Sequence, residues 1–340
     1  MNSQNISEIS YKWSFKDYLS AFKVRMSIGR NNYRVNPGLY KIGNPYDNSE
    51  VFVSANYKLS FDVLRRSLHG IDGWILVLDT KGINVWCAAG KGTFGTWEII
   101  NQINQTNLTS FVSHKRLIVP QLGASGIAAH AIKDITGFNV QYGPVRASDI
   151  KEYLDNGKKA TEDMRHVHFN FMDRLIVAPV EIMNSLWKIS LIIVTFVLLS
   201  GISSSGYSFQ NVLNKWSITA IIIGISYITG TFLTPILLPY LPFRQFAGKG
   251  MALQSIIFII IVLTGALGNN ILFLISWFLM TIGLSSYLAM NFTGASTYTS
   301  LSGVIKEMRL FIPLQIIAVS SGFILLIISK FIKLWITRFI

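Results

Sequence analysis

Cysteine is nearly absent from this chain of 340 residues, which contains only Cys87. A single cysteine excludes an intramolecular disulfide, and it excludes a zinc or iron–sulfur site that needs several cysteines from this chain. Charged residues are also scarce, at 14% of the chain, whereas 51% of the residues are hydrophobic. Soluble proteins rarely have this composition, so part of the chain is expected to lie in lipid.

Negative charge is almost missing from the second half of the chain. Residues 186–340 contain nine Lys and Arg but one acidic residue, whereas residues 1–185 contain 21 Lys and Arg against 16 acidic residues. The nine cations lie near the ends of apolar runs, where they can reach phospholipid headgroups, and not on the solvated face that nucleic-acid binding requires. The net charge of +13 therefore predicts contact with membrane lipid and no nucleic-acid partner.

The second half also contains long apolar runs that are typical of membrane helices. The N-terminus lacks a basic segment followed by an apolar core, so we predict no secretory signal. Each apolar run of the second half is close in length to the ~20 residues that a helix needs to cross a bilayer. The runs therefore predict an all-α transmembrane domain of five helices over residues 186–340. The loop cations partly favour a multi-pass protein of the inner membrane with its first half in the cytoplasm. The helix centres lack ionisable residues, which favours an anchor or docking platform over a transporter. The predicted spans are 186–202, 217–238, 251–267, 271–290 and 310–328.

Residues 50–182 alternate short β-branched runs with segments of helical spacing. This alternation predicts a Rossmann-like α/β domain with a mostly parallel sheet, preceded by an N-terminal segment of residues 1–49. Ligands in such folds bind beyond the carboxyl ends of the strands, so the loops that follow the strands form the candidate site. The predicted strands are 51–55, 74–79, 117–120, 139–142 and 175–178.

The segment after the second predicted strand, residues 80–96, is rich in glycine and contains Cys87. It is not a phosphate loop, because Val85 and Gly92 stand where that motif needs Gly and Ser or Thr. Residues 90–95 match the dinucleotide pattern GxGxxG, but the acid expected about 20 residues later is missing, which disfavours NAD. Most free cysteines are buried small hydrophobes. This one lies among small residues that permit a large planar ligand to approach, and a helix start there would stabilise a thiolate.

The motif NVWCAAGK at 84–91, followed by GTFGT at 92–96, resembles the cap helix of the HgcA family, the membrane-anchored corrinoid proteins of microbial mercury methylation. The resemblance covers residues 50–182, and the five apolar runs match the membrane half of that family. Further segments are similar to the corrinoid domain that the family shares with the large subunit of the corrinoid iron–sulfur protein of acetyl-CoA synthesis. These segments are 53–62, 120–126, 142–149 and 173–181.

This resemblance implies a cobalamin-type corrinoid whose lower face lies against the cap helix, with the Cys87 sulfur as an axial ligand of cobalt. A soft thiolate suits a transition metal, and coordination keeps the thiol deprotonated. No histidine of the chain lies in the D-x-H-x-x-G frame of histidine-ligated corrinoid proteins. The residues expected to contact the cofactor are Ser54, Asn56, Ser60, Asn84, Val85, Trp86, Ala88, Ala89, Gly90, Lys91, Gly92, Thr93, Gly123, Ala124, Gly143, Pro144, Val145 and Arg146.

Several of these residues have a second interpretation. Ser60 either binds the cofactor or caps a helix over 61–68. Residues 88–90 are small either because the ring lies on them or because the helix packs closely there. Lys91 pairs with a corrin side amide or only with solvent. The glycine-rich turns at 123–126 and 143–146 either leave room for the nucleotide tail of the cofactor or are ordinary turns.

The resemblance further implies a corrinoid-dependent methyltransferase that transfers a methyl group from methyl-cobalt(III) to mercury(II) and forms methylmercury. An electron-donating axial ligand favours that transfer. Reloading requires an electron donor, for which the family has a ferredoxin-like iron–sulfur protein, and a methyl donor of the methyl-folate pathway. Two alternatives stay open: a membrane-tethered corrinoid carrier that serves a different methyl acceptor, and a non-enzymatic membrane protein with a nucleotide-sensing domain.

Overall fold

The structure is a computed structural model that describes residues 6–296 and 298–339, with the backbone alone for 295, 301 and 332–339. The chain divides into two compact units, Met1–His168 and Phe169–Ile340. The division lies before the predicted start of the transmembrane domain at residue 186, because the helix that contains that position already begins at Phe171.

The first unit is built on one six-stranded sheet with the order β1-β2-β4-β3-β5-β6. Neighbouring strands are parallel except for β2 and β4, which are antiparallel. The predicted α/β fold with a mostly parallel sheet is therefore confirmed. The strands are β1 (Ser7–Ile9), β2 (Gly38–Ile42), β3 (Val51–Ala55), β4 (Gly73–Leu78), β5 (Arg116–Pro120) and β6 (Asn139–Gly143). The helices are α1 (Phe15–Arg25), α2 (Lys58–Ser67), α3 (Val85–Lys91), α4 (Thr96–Gln105), α5 (Ala129–Thr136), α6 (Ile150–Asp155) and α7 (Glu162–Arg165).

The central strands are covered on both faces. Every residue of β3 and β4 is buried, as expected for parallel strands between two layers of helices. On one face, residues of α3 and α4 share a core cluster with alternate residues of these strands, including Val53 and Leu76. On the other face, residues of α2 and α6 pack with Phe52 and Ile75. The two layers fix where each strand ends and where the following loop begins.

The strand predicted at 175–178 is wrong, because these residues lie inside the helix α8 (Phe171–Leu199). Asn170 and Asp173 form a reciprocal capping box that starts this helix. A short apolar run does not by itself distinguish a strand from a buried or membrane helix. The N-terminal segment, by contrast, supplies two strands of the sheet, β1 and β2, that the sequence pattern did not predict.

The second unit contains the helices that the apolar runs predicted. Five of its described helices are long and apolar enough to cross a membrane: Phe171–Leu199, Phe209–Tyr240, Phe246–Leu263, Ile271–Gly294 and Ser302–Phe331. The second of these comprises α9 (Phe209–Ile228), a π-helical turn (Thr229–Leu233) and α10 (Thr234–Leu237). The others are α8, α11 (Phe246–Leu263), α12 (Ile271–Asn291) and α13 (Leu301–Phe339), and a two-stranded hairpin of β7 (Ile202–Ser203) and β8 (Gly206–Tyr207) joins α8 to α9.

Charged side chains of this second unit bind the ends of its helices. Glu307 accepts a hydrogen bond of 2.7 Å from the backbone N–H of Ala247, in the first turn of α11. The ammonium group of Lys330 donates to the carbonyl oxygen of Leu199, the last residue of α8, at 2.7 Å. These contacts pair a negative side chain with a helix N-terminus and a positive one with a helix C-terminus, as the helix dipole favours.

Candidate corrinoid site

Four parallel strands bring their carboxyl ends to one edge of the sheet. In the parallel register, Ala55 at the end of β3 pairs with Leu78 at the end of β4, and Pro120 of β5 pairs with Gly143 of β6. The loops that follow these strands therefore lie along the same edge. They contain most of the residues that the sequence predicted for the site, and α3 follows β4 directly within this group.

The local sequence fixes both ends of α3. Asn84 is the N-cap, and its side-chain oxygen accepts a hydrogen bond of 2.9 Å from the backbone N–H of Cys87. Gly92 ends the helix in the left-handed conformation, with φ of 78°, which glycine adopts without steric cost. The N–H of Thr93 then returns to the carbonyl oxygen of Ala88 at 3.0 Å. These caps set the rotation of the helix and hence the direction of each side chain on it.

The two faces of α3 differ in exposure. Val85, Ala88 and Ala89 are buried in the core of the first unit, and Ala88 has no exposed surface. The opposite face, which we call the outward face of α3, consists of Trp86, Cys87, Gly90 and Lys91, and all four are exposed. For Ala88 and Ala89 the structure thus shows the packing role, whereas Cys87 and Gly90 face solvent.

Open space surrounds Gly90 on the outward face of α3. A Cβ atom placed on Gly90 would meet no other atom within 4 Å, so packing inside the first unit does not require glycine there. Gly90 follows Cys87 by three residues, which places the two on one side of the helix. Trp86 flanks them with 43% of its surface exposed. An exposed sulfur beside a position without a side chain leaves room for a flat ligand above the thiol.

The turn after β5 explains the small residues at 123–126 by close packing. This 3₁₀ turn (Gln121–Gly126) approaches α3 and Phe94 so tightly that a Cβ on Gly126 would lie 2.3 Å from the carbonyl oxygen of Phe94. A Cβ on Gly123 would lie 2.4 Å from the ring of Phe94. Ala124 is partly buried in the same turn. The glycines hold the turn against the buried side of the Cys87 segment.

Asn56, predicted to contact the cofactor, makes four side-chain hydrogen bonds within the protein. Its side-chain oxygen accepts hydrogen bonds from the N–H of Thr80 at 3.1 Å, the hydroxyl of Thr80 at 2.9 Å and the N–H of Gly82 at 2.9 Å. Its amide group donates to Asp79 at 3.0 Å. Asn56 is 1% exposed and ties the loop before α3 to the end of β3. We therefore describe it as a positioning residue.

The two serines near β3 also differ from expectation. Ser54 is buried, and its hydroxyl donates to the carbonyl oxygen of Ala55 at 3.3 Å. Ser60 is the third residue of α2, which begins at Lys58 after the N-cap Tyr57. The interpretation of Ser60 as a helix cap is therefore wrong, because the helix starts two residues earlier.

Asp79 and Thr80 form the tight loop before α3 and were not predicted from the sequence. A hydrogen bond from the Lys81 side chain lowers the pKa of Asp79 below its ordinary value, although partial burial opposes this effect. The hydroxyl of Thr80 donates to the carbonyl oxygen of Ile83 at 2.6 Å. Lys81 and Gly82 both have positive φ, at 59° and 74°. The one available signal was the Gly at position 82, which is typical of such a turn.

The loop after β6 is bound to the end of the first unit. Gly143 and Pro144 are buried, and the N–H of Val145 donates to the carbonyl oxygen of Met164 at 2.8 Å. Arg146, which is partly exposed, donates to the carbonyl oxygen of His168 at 3.3 Å. This loop therefore contributes the Arg146 side chain to the strand-end edge, while its other predicted residues serve the fold.

The other ligand types that the sequence raised fit this edge less well. Gly90 lies inside α3 and Gly92 ends it, so residues 90–95 do not form the strand-to-helix turn of a dinucleotide site. Among the described residues, no group of three or more His, Cys, Asp and Glu side chains is placed to hold a metal ion. The imidazole of His168 lies 2.8 Å from Asp163 on the surface. The exposed donor that suits a soft metal is the Cys87 sulfur.

Comparisons with known proteins match the first unit. A family model described as CO dehydrogenase/acetyl-CoA synthase delta subunit matches residues 23–154. The chain is 30% identical over 145 residues to the acetyl-CoA decarbonylase/synthase complex subunit gamma of Methanopyrus kandleri, covering 42% of this chain and 31% of the relative. It is 34% identical over 128 residues to the subunit gamma of Archaeoglobus fulgidus, covering 37% of this chain and 27% of the relative.

A third relative is named for the cofactor. The chain is 31% identical over 119 residues to the corrinoid/iron-sulfur protein large subunit of Moorella thermoacetica, covering 34% of this chain and 26% of the relative. The chain thus spans about a third or less of the length of these curated relatives. The matches confirm the predicted likeness of the α/β domain to the corrinoid iron–sulfur protein. The finer resemblance to the mercury-methylating family stays a prediction.

Proposed function

We propose that this chain is a membrane-anchored corrinoid-dependent methyltransferase whose Cys87 thiolate is the lower axial ligand of cobalt and whose methyl acceptor is mercury(II). The single observation that carries the proposal is the exposed Cys87 beside the open position at Gly90, within a domain that matches a corrinoid protein. The motif NVWCAAGK, which resembles the mercury family, supports mercury(II) as the acceptor.

The residues of α3 fit a planar ring with a metal at its centre. When bound, the corrinoid supplies a methyl group carried on cobalt. Cys87 presents a soft, electron-donating sulfur on the side of the ring that faces the protein. Gly90 keeps the neighbouring surface flat, and Trp86 offers an exposed aromatic edge beside it. The side-chain oxygen of Asn84 accepts a hydrogen bond from the backbone N–H of Cys87 and so helps to fix the direction of the sulfur.

Residues away from α3 have supporting roles in this proposal. Asn56 and Thr80 fix the loop that leads into α3, and the turn at 121–126 supports its buried side. Of the residues predicted to contact the cofactor, Lys91 and Arg146 are charged, and their side chains would reach polar groups at the rim of a ring or its tail. Mercury(II) is substrate here, and in this proposal Cys87 would hold the cobalt of the corrinoid and would not bind mercury(II).

The apolar runs and loop cations support the proposed location, and the family resemblance supports the proposed partners. We place the chain in the inner membrane as a multi-pass protein with its first unit in the cytoplasm, which the five apolar helices support in part. Recharging needs an electron donor, because Cys87 alone is not a redox centre for this purpose. A ferredoxin-like iron–sulfur protein is the proposed donor, and the methyl-folate pathway is the proposed source of the methyl group.

A second candidate function is a membrane-tethered corrinoid carrier that passes its methyl group to a different acceptor. The observation that favours it is the naming of the relatives, which belong to acetyl-CoA decarbonylase/synthase complexes. Both candidates use Cys87 and the outward face of α3 in the same way. They differ in the acceptor, and an assay of product separates them.

The proposal is tested with full-length protein loaded with cobalamin. We expect the visible spectrum of the wild type to differ from that of Cys87→Ala, because a cobalt–sulfur bond alters the absorption bands. We also expect methylmercury to form when mercury(II), the iron–sulfur partner and a methyl-folate donor are supplied. Identical spectra would remove the axial role of Cys87. A sulfur-ligated cobalt that yields no methylmercury would favour the second candidate.

A further inference from the structure

A second unusual surface lies on α1, in the first unit. Phe15, Tyr18, Leu19 and Phe22 are exposed, Phe15 by 81% and Phe22 by 61%. Their spacing places them on one side of the helix, and we call this set the α1 stripe. The opposite side of α1, with Ala21 and Val24, is buried against the first unit. The helix therefore presents a second apolar face outward, which a solvated surface helix does not need.

Cations border the α1 stripe on both sides. At 100° per residue, Lys16 and Lys23 lie along one border and Arg25 lies along the other. Asp17, the acidic residue of α1, lies on the far side of the helix from the stripe. There it pairs with Lys58 at 3.0 Å and with Arg65 at 3.0 Å. The outward half of α1 thus combines large apolar side chains with positive charge.

Aromatic side chains next to the stripe strengthen the pattern. The rings of Trp13 and Tyr18 meet edge to face with centroids 5.1 Å apart, and the guanidinium of Arg66 lies 5.3 Å from the Trp13 ring. Tryptophan, tyrosine and arginine together are typical of the boundary between lipid tails and headgroups. An apolar helix face bordered by basic residues is the pattern of helices that lie in the plane of a membrane surface.

We infer that the α1 stripe binds the surface of a bilayer that contains anionic lipid, with Phe15, Leu19 and Phe22 among the acyl chains and the bordering cations at the headgroups. Charge complementarity favours anionic lipid over a basic or neutral partner. The same chain contains five helices long and apolar enough to cross a membrane, and a membrane that holds them would keep the tethered first unit close to lipid. The stripe lies outside the region that matches the family model, because it ends at Phe22 and the match begins at residue 23. This inference does not depend on the cofactor or on the methyl acceptor.

The test uses full-length protein in nanodiscs made of phosphatidylcholine, with or without phosphatidylglycerol. Hydrogen exchange of the α1 amides and tryptic cleavage after Lys16 and Lys23 are measured in both. We expect exchange and cleavage to be at least about tenfold slower with anionic lipid, and the difference to shrink at high salt. The double variant Lys16→Gln/Lys23→Gln lacks these two cleavage sites, so hydrogen exchange alone is its readout. We expect the protection of the α1 amides to fall about fivefold for each cation removed, down to the level measured in phosphatidylcholine alone.

Apolar contact is tested with Phe15→Ser/Phe22→Ser, which should abolish the protection. Both side chains are exposed, so exchange in β3 and β4 should be unchanged and serves as the measure of folding. Ile135→Ser, at an exposed isoleucine of α5, is the matched control and should keep the protection of α1. Equal exchange in both nanodiscs would overturn the inference. Protection that requires an added protein partner would also overturn it, because the stripe would then be a protein interface.

Discussion

The two faces of α3 lie about ten ångströms apart, but the surroundings of their small residues differ. On the buried face, Ala88 and Ala89 are small because the strands and the turn at 121–126 press against them. On the outward face, Cys87 is exposed, and a Cβ atom on Gly90 would meet no other atom within 4 Å. Packing therefore explains the small residues of the buried face, and the proposed ligand would explain those of the outward face. Substitutions on each face should separate these two causes.

The largest expected effect is the loss of methyl transfer in Cys87→Ala. Substitution of residues that merely orient a metal ligand costs about 10- to 100-fold in affinity or activity, so loss of the ligand should cost about 100-fold or more. The free energy of unfolding should change by less than about 0.5 kcal/mol, because the side chain is exposed. Product formation and pulse proteolysis measure the two quantities. Ile135→Ser, at an exposed position of α5 outside the predicted site, is the control and should retain transfer.

Gly126→Ala, on the buried side of α3, should instead lower the stability of the first unit. The added Cβ would lie 2.3 Å from the carbonyl oxygen of Phe94 and 3.1 Å from that of Ala89. Backbone atoms cannot rotate away, so we expect a loss of about 1–3 kcal/mol in the free energy of unfolding. Hydrogen exchange of the first unit measures it. A variant as stable as the wild type would show that the turn is not packed against α3 as described.

Gly90→Leu should raise stability and lower cofactor affinity together. Replacing a helical glycine in open space removes a cost of roughly 0.5–1 kcal/mol. The leucine side chain would occupy the space above the outward face, so we expect cobalamin to bind about tenfold more weakly or worse. Thermal unfolding and equilibrium binding test these opposite signs. Gly90→Ala is the graded control, and unchanged binding by the leucine variant would place the ring elsewhere.

The smallest expected effect follows from Asn84→Ala, which removes the cap of α3. Loss of such a cap costs about 1 kcal/mol, because the N–H of Cys87 loses its partner. We expect a small loss of stability, which reports on the buried face of α3. We also expect a small change in the visible spectrum of the loaded protein, which reports on the outward face. Asn84→Asp keeps an oxygen at the cap and should restore both. If Asn84→Ala changed neither quantity, the cap would not set the position of the sulfur.

The sequence predicted the elements that have a strong local signal. The β-branched runs of β3 to β6 and the five apolar runs all appear as expected. The run at 175–178 was wrongly predicted as a strand, because a short apolar run of this composition is found both in strands and in membrane helices. The strand β1 was missed because it has only three residues, Ser7–Ile9, with polar ones among them, and so carries little periodic signal.

The site was predicted only in outline. Cys87 was assigned to the site because the motif NVWCAAGK, which contains it, resembles the cap helix of a corrinoid family; composition alone favours a buried small hydrophobe. The rotation of α3 decides which of its small residues face outward. Asn84 and Gly92 set this rotation, and it cannot be derived from composition. The role of Asn56 was missed because its bonds to Thr80 and Gly82 join residues more than 20 positions apart. Such networks become visible only when the strands are paired.

X-ray absorption at the cobalt edge of the cobalamin-loaded protein addresses the Cys87 ligand without any assay of activity. We predict a sulfur atom in the coordination sphere of cobalt in the wild type, and its replacement by a nitrogen or oxygen atom in Cys87→Ala. The Gly126→Ala variant, where it still binds cobalamin, should keep the sulfur signal. A wild-type protein that transfers methyl groups while its cobalt has no sulfur neighbour would contradict the proposed role of Cys87.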